Sequence, residues 1–220
     1  MNARTPTVLT ELQHDALTEL VNIGVSHAAN SLRDMVGDQV HLSVPQLALV
    51  AREEAIETLS AQESAELVAV HQVFEGDLTG RALLIFPEAR SLELVKAVTG
   101  GELSLEDIIE LEHEALAETG NIILNGCLAT IANLLDRTLH MSLPEILRGK
   151  GVAFFNLAPP PEAGDVVLFL YIDFAIRERD VRGYIAMIMD MPSLQALSAL
   201  LDEFIERATQ APGRSEDAPG

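Results

Sequence analysis

Two pairs of residues combine a carboxylate and a carboxamide at a spacing that puts both on one helical turn. Glu19 stands three residues before Asn22, and Glu118 stands three residues before Asn121. A carboxamide carries an acceptor oxygen and two donor hydrogens on one rigid plane. A carboxylate one helical turn away can pair with a lysine or arginine. Taken singly, such an exposed pair is most often a solvated helix face. On a helical wheel with Asp15 at zero and about 100° per residue, Glu19, Asn22 and Ser26 all fall within about 40° of it. Leu17, Leu20, Val21 and Ala28 take the opposite side. The second pair lies in a like stripe of Glu114, Glu118, Asn121 and Asn125. Both stripes are expected to face solvent. Asparagine competes with the helix backbone and is a poor interior choice, yet it stands at the same place in both stripes.

The recurrence extends well beyond the stripes. Leu12 to Pro45 laid over Leu111 to Pro144 matches at Leu12/Leu111, His14/His113, Ala16/Ala115, Leu17/Leu116, Glu19/Glu118, Asn22/Asn121, Ile23/Ile122, His41/His140, Ser43/Ser142 and Pro45/Pro144. Chance would give roughly two or three identities over such a span. Further on, GRALLIFPEARSLELV from Gly80 echoes GYIAMIMDMPSLQAL from Gly183. The chain therefore reads as one domain, residues 1–208, made of two copies of one unit, about 9–99 and 108–208. Residues 209–220 form a Pro/Gly/charge tail expected to be disordered.

The elements that carry the stripes follow from periodicity. Residues 9–36 show helical spacing, with Thr10 as a candidate N-cap and Gly37 as the stop. Val40, Leu42 and Val44 alternate as a strand does, until Pro45 interrupts the ladder. A short polar helix near 52–60 and strands near 66–76 and 80–87 follow, with Gly76-Asp77 and Thr79-Gly80 in the turn. Pro87 is read as starting a helix that Gly100-Gly101 ends. The second copy repeats the order: a helix over 105–136, three strands between 139 and 190, and a helix over 192–208. The expected fold is α+β: a duplicated helix-β-β-β-helix unit with pseudo-twofold symmetry. Its six-stranded, mostly antiparallel sheet is flanked by two long helices.

The spacing [Asp/Ser]-x3-Glu-x2-Asn-x22-Pro resembles the signature of the CheC/CheX/FliY chemotaxis phosphatases. Asp15, Glu19, Asn22 and Pro45 match it fully. Glu114, Glu118, Asn121 and Pro144 match it with Glu in place of Asp or Ser at the first position. Two motifs in one chain resemble the CheC branch. The resemblance implies hydrolysis of the aspartyl phosphate of the response regulator CheY. It implies Asn22 and Asn121 as water-orienting catalytic residues, and Glu19 and Glu118 as catalytic-site anchors pairing with a lysine of the receiver. Asp15 and Glu114 would be binding residues at the rim, and Pro45 and Pro144 structural members of the motif. No cofactor is implied beyond the Mg²⁺ that the receiver brings. The same family also implies a possible second partner, the receptor deamidase CheD. The competing function is accordingly a non-catalytic adaptor that binds CheY or CheD. A flagellar-switch role is disfavoured, since nothing after residue 208 could form the extra domain.

Composition narrows the field. Asp and Glu number 34 against 14 Lys and Arg, a net charge of −20. Such a chain repels phosphate backbones and anionic membrane surfaces, which argues against nucleic-acid and membrane partners. The 4% aromatic content and lack of Trp also argue against base stacking. Cys127 is the single cysteine, so an intramolecular disulfide is impossible and a reducing compartment is expected. Met1 to Leu12 has no apolar run of signal-peptide type, and no stretch of eighteen apolar residues is apparent. A cytoplasmic location is expected. The six histidines include no HExxH, so no metal site is expected. His41 and His140 read as strand-surface residues, His14 and His113 as helix-surface residues, and Cys127 as core.

Overall fold

The computed structural model describes residues 9–63, 65–99, 104–157, 166–176 and 179–210. The first helix, α1 (Glu11–Val36), starts where the sequence places its cap. The Thr10 hydroxyl accepts from the Gln13 backbone N–H, and the Gln13 side chain accepts from the Thr10 N–H. That reciprocal pair satisfies two donors a bare helix end would leave open. Gly37 closes the helix at φ 69°, a left-handed conformation that glycine adopts without strain. After it come β1 (Val40–Ala51), α2 (Arg52–Gln62), β2 (Leu67–Gly76) and β3 (Gly80–Pro87). A 3₁₀ turn at Glu88–Arg90 leads into α3 (Ser91–Val98). The second half holds α4 (Leu105–Leu134), β4 (Leu139–Met141), β5 (Glu145–Gly149) and α5 (Gly151–Phe155). It ends with β6 (Val166–Ile176), β7 (Arg179–Met189) and α6 (Met191–Gln210).

All strand pairs are antiparallel, and the order is β1-β6-β7-β3-β2-β4, with β5 continuing alongside β2 beyond β4. The order is a palindrome. From either edge it reads first strand of one half, second of the other, third of the other. The pseudo-twofold axis therefore passes between β3 and β7. The halves are interlocked: β1 pairs with β6 of the second half, and β4 and β5 pair with β2 of the first. The helices exchange in the same way, α6 packing on α1 and α3 on α4. Neither half buries its own surfaces alone.

Four features differ from the sequence expectation. The sheet has seven strand segments and not six, because Pro144 divides the outer strand of the second half into β4 and β5. The two long helices lie together on one face. Pro87 closes β3, so the following α-helix begins only at Ser91. Helix α6 runs to Gln210, past the expected start of the tail. The predicted Gly100-Gly101 stop and residues 1–8 and 211–220 lie outside the described residues.

The sheet has a core on each face. Val68, Val70, Phe74, Leu84, Leu168, Leu170, Ile172 and Met187 pack under α1, α3, α4 and α6. On the other face Ala69, Ile85, Phe169 and Ala186 pack with Leu59 of α2 and Phe154 and Phe155 of α5. Burial on both faces explains why β2 and β3 read as near-continuous apolar runs and not as alternating ones. Helix α4 is long and apolar enough to cross a membrane by length and composition alone. In the fold it is a core helix seated on α1 and the sheet.

The centre of the helix layer is a close crossing of α1 and α4. A Cβ on Gly24 would lie 2.8 Å from the Cys127 carbonyl oxygen, and one on Gly126 would lie 3.1 Å from the Ala28 Cα. Gly24→Ala would gain about 1 kcal/mol of helix propensity but would overpack backbone against backbone, a cost of about 1–3 kcal/mol. A net loss of about 1 kcal/mol, and a larger loss for Gly24→Val, is expected as a lowered urea midpoint. A midpoint raised by Gly24→Ala would show that the crossing has slack.

Candidate functional site

On α1 the stripe is formed as the wheel requires. Asp15, Glu19, Asn22 and Ser26 are exposed, while Leu17, Leu20, Val21, Val25 and Ala28 are buried beneath them. The Ser26 hydroxyl donates to the Asn22 carbonyl oxygen at 2.8 Å. Among the described residues, the side chains of Glu19 and Asn22 make no hydrogen bond or ion pair. The acid and the amide are thus presented unspent on a helix whose far side is locked in the core.

The stripe on α4 is different. Glu114 and Glu118 are exposed, but Asn121 and Asn125 are half-buried. The Oδ1 of Asn121 accepts from Gln72 Nε2 at 3.1 Å and from Asn125 Nδ2 at 2.7 Å. The same Gln72 Nε2 donates to the Ser142 carbonyl oxygen at 2.8 Å. Gln72 is fully buried. The expectation that Asn121 faces solvent is therefore corrected: it is half-buried and hydrogen-bonded.

The cause lies in the sheet below. Successive strand residues alternate faces, and Gln72 shares its face with Val68, Val70 and Phe74. The corresponding row of β6 is Leu168, Leu170, Ile172 and Phe174, so it offers no donor to α1. Gly120 adds to this. A Cβ there would fall 2.5 Å from the Val70 side chain, so α4 can settle close to β2. At the matching place α1 carries Val21.

Both motif prolines sit in bulges of the outer strands. The β1–β6 register shifts between Ser43 and Gln46, around Pro45. On the other edge Ser142, Leu143 and Pro144 stand opposite Gln72 and Val73, one residue too many for a regular ladder. Ser142 bridges the irregularity. Its N–H donates to the Val73 carbonyl at 2.8 Å and its hydroxyl accepts from the Val73 N–H at 2.9 Å. Its own carbonyl is left to accept from Gln72. Leu143, at the tip of the bulge, is 86% exposed.

The remaining candidates are quickly placed. His14, His41, His113 and His140 are exposed. Cys127 is buried and its thiol is pushed up to about 12 by burial, which makes it a core residue and a poor nucleophile. Among the described residues no three of His, Cys, Asp and Glu converge on a point that could hold a metal ion. Sequence reading missed Gln72 and the role of Ser142. The available signals were a lone glutamine inside the apolar run LVAVHQVF and the repeated Ser43/Ser142.

A sequence model of the CheC-like family matches residues 12–48, which span the α1 stripe and the Pro45 bulge. The chain is 28% identical over 139 residues to the CheY-P phosphatase CheC of Bacillus subtilis (strain 168), covering 62% of this chain and just under two thirds, 66%, of that one. It is 21% identical over 187 residues to the putative CheY-P phosphatase CheC1 of Halobacterium salinarum (strain ATCC 29341 / DSM 671 / R1), covering 84% and 93% of the two chains. Over these spans the chain is similar to CheC-like proteins. Its fold is that of the crystal structure of FliY from Thermotoga maritima, with a TM-score of 0.69 at 20% identity over 90% of this chain and 100% of that one.

The two asparagines should differ in their weight on stability. Asn22→Ala exchanges an exposed, unengaged side chain for a better helix former and is expected to gain up to about 0.5 kcal/mol. Asn121→Ala removes the acceptor of two hydrogen bonds in a half-buried site, a loss of about 1–2 kcal/mol. Urea unfolding of the two variants measures the difference. Equal midpoints would show that the Asn121 contacts carry no net energy.

Proposed function

We propose that the chain is a cytoplasmic protein phosphatase that removes phosphate from the aspartyl phosphate of a CheY-type receiver. The observation that carries this reading is the Glu19/Asn22 pair, unspent and exposed on a rigid helix. The names of the Bacillus and Halobacterium relatives support it. An acyl phosphate needs little covalent help, since transfer of its phosphoryl group passes through a loose transition state. What accelerates it is a water held in line with the breaking bond. A new bond forms between the water oxygen and phosphorus, and the bond from phosphorus to the carboxyl oxygen breaks. Aspartate leaves with the electron pair, and both water protons end on the phosphate as H₂PO₄⁻.

In this reading Asn22 enters the receiver's active site, its oxygen accepting from the water and its N–H₂ donating to the phosphoryl group. Asn121 serves a second site. Glu19 and Glu118 pair with a lysine of the receiver, and Asp15 and Glu114 stand at the rim. Pro45 and Pro144 shape the bulges beside the helices. The receiver supplies Mg²⁺, and the chain contributes no cofactor of its own. The runner-up is a non-catalytic adaptor that docks the receiver or CheD through the same acidic stripes.

Decay of receiver phosphate separates the two. Each of Asn22→Ala and Asn121→Ala is expected to lose part of the acceleration, and the double variant to lose it by about tenfold or more. Receiver binding by titration should survive through Glu19 and Glu118. Full activity in the double variant would sink the water-orienting mechanism. A wild-type chain that binds the phosphorylated receiver without hastening its decay would be an adaptor.

A further inference from the structure

The second stripe is wired through a side chain of the opposite half, Gln72, to the backbone of its own half at Ser142, and the wiring has a direction. The Ser142 carbonyl can only accept. It therefore fixes Gln72 with its N–H₂ toward Ser142 and toward Asn121. Asn121 must then turn its oxygen inward, where the Asn125 amide also donates to it. Both lone pairs of that oxygen are occupied, and the Asn121 N–H₂ is the part left to face outward. Reversing any one amide would set two acceptors or two donors against each other. The buried Oε1 of Gln72 and Oδ1 of Asn125 have no hydrogen-bond partner. Those orphaned acceptors are a cost the sequence tolerates. No such relay reaches Asn22, because the β6 row beneath α1 is wholly apolar and offers no side-chain donor or acceptor.

We infer that Gln72 is a positioning residue that holds Asn121 with its N–H₂ presented, so the two stripes are chemically unequal: a fixed donor on α4 and a freely turning amide on α1. Resting on the phosphatase reading, the donor serves a loose transition state. A water held by an N–H donated to its oxygen keeps a lone pair for phosphorus. The nucleophilicity lost by donation matters little when bond making lags bond breaking. The gain is orientation: the α4 amide starts in place, whereas the α1 amide must be ordered on docking. The bulge at Pro144 joins this device because it withdraws the Ser142 carbonyl from the strand ladder and turns it to Gln72. The proline twenty-three positions after Asn121 is thereby linked to the amide it accompanies.

The test has two arms. The first needs no phosphatase activity: side-chain amide resonances of the full chain labelled with ¹⁵N at Asn. The Asn121 N–H₂ pair is expected to be shifted and slow to rotate in the wild type, with Asn22 at free values. Gln72→Met should move Asn121 toward the free values and leave Asn22 unmoved. An Asn121 pair already at free values in the wild type would overturn the relay, whether or not the chain hydrolyses anything. The second arm measures receiver dephosphorylation. In the Asn22→Ala background, where the α4 stripe acts alone, Gln72→Met is expected to lower kcat about tenfold with KM for the receiver unchanged. In the Asn121→Ala background the same substitution should change nothing. Equal losses in both backgrounds would mark Gln72 as merely structural and overturn its positioning role. Gly120→Ala provides a second route, lifting α4 from Val70 and lengthening the Gln72–Asn121 contact without touching either amide. It is expected to reproduce the loss on the α4 stripe alone, and an unchanged kcat with Asn121 released would overturn the role. A wild type with the shifted Asn121 resonances but no acceleration of receiver decay would refute the phosphatase reading and leave the relay standing.

Discussion

The close crossing of α1 and α4 is the contact on which the rest of the architecture depends. Gly24 lies against the Cys127 backbone and Gly126 against Ala28. Because four small residues meet there, two long helices can share one face of the sheet and still bury Leu17, Val21, Leu116 and Leu124. Rigidity follows from the same contact. Each stripe belongs to a helix held by its neighbour along one side and by the sheet below. The side chains that face outward inherit that fixed frame, and a partner meets a surface already in place.

Interlocking makes the frame cooperative. The outer strand of each half pairs with the sheet of the other, and α3 and α6, which close the two halves, each pack on the long helix of the other. Gln13 on α1 shows the coupling at one residue. It completes the cap at Thr10 and also donates to Ser198 and Asp202 on α6. At the matching place on α4, Glu112 accepts from Ser91 of α3 and pairs with Arg148 of β5. Different chemistry does the same fastening in the two halves. The pseudo-symmetry is thus one of position, and the residues within it are free to diverge. The stripes show that divergence most clearly, since Asn22 meets only carbon below while Asn121 meets Gln72.

Much of this was legible in the chain. The capped start at Thr10, the stop at Gly37 and the helical stripes follow from local rules that need no distant partner. The duplication is readable because identities at a constant offset survive wherever the structure holds the residue in place. The prolines announced a break in each outer strand, but not that the break would split one strand in two and leave the other continuous. Pro87 misled because a proline fits the end of a strand as well as the start of a helix. The six-strand count failed at Pro144 for a similar reason: the sequence shows an interruption, and only the pairing with β2 shows how many residues fall out of the ladder.

The sequence by itself determined which side of each long helix turns to the core, because a periodicity of 3.6 residues fixes that locally, but not how far the opposite side of α4 would be covered. It also determined that the two halves share one plan. Only the tertiary structure decided that the plan interlocks, since strand partners are chosen by long-range packing that no local pattern encodes. The tertiary structure alone also decided what lies beneath each asparagine. Gln72 is 49 residues from Asn121 in the chain, and Ser142 is 70 from Gln72. Glycine at 120 brings the helix down, alternation on β2 turns the glutamine up, and a bulge turns one carbonyl toward it. Hydrogen-bond polarity then runs from that carbonyl to the helix surface, a property of three elements meeting and not of any one of them.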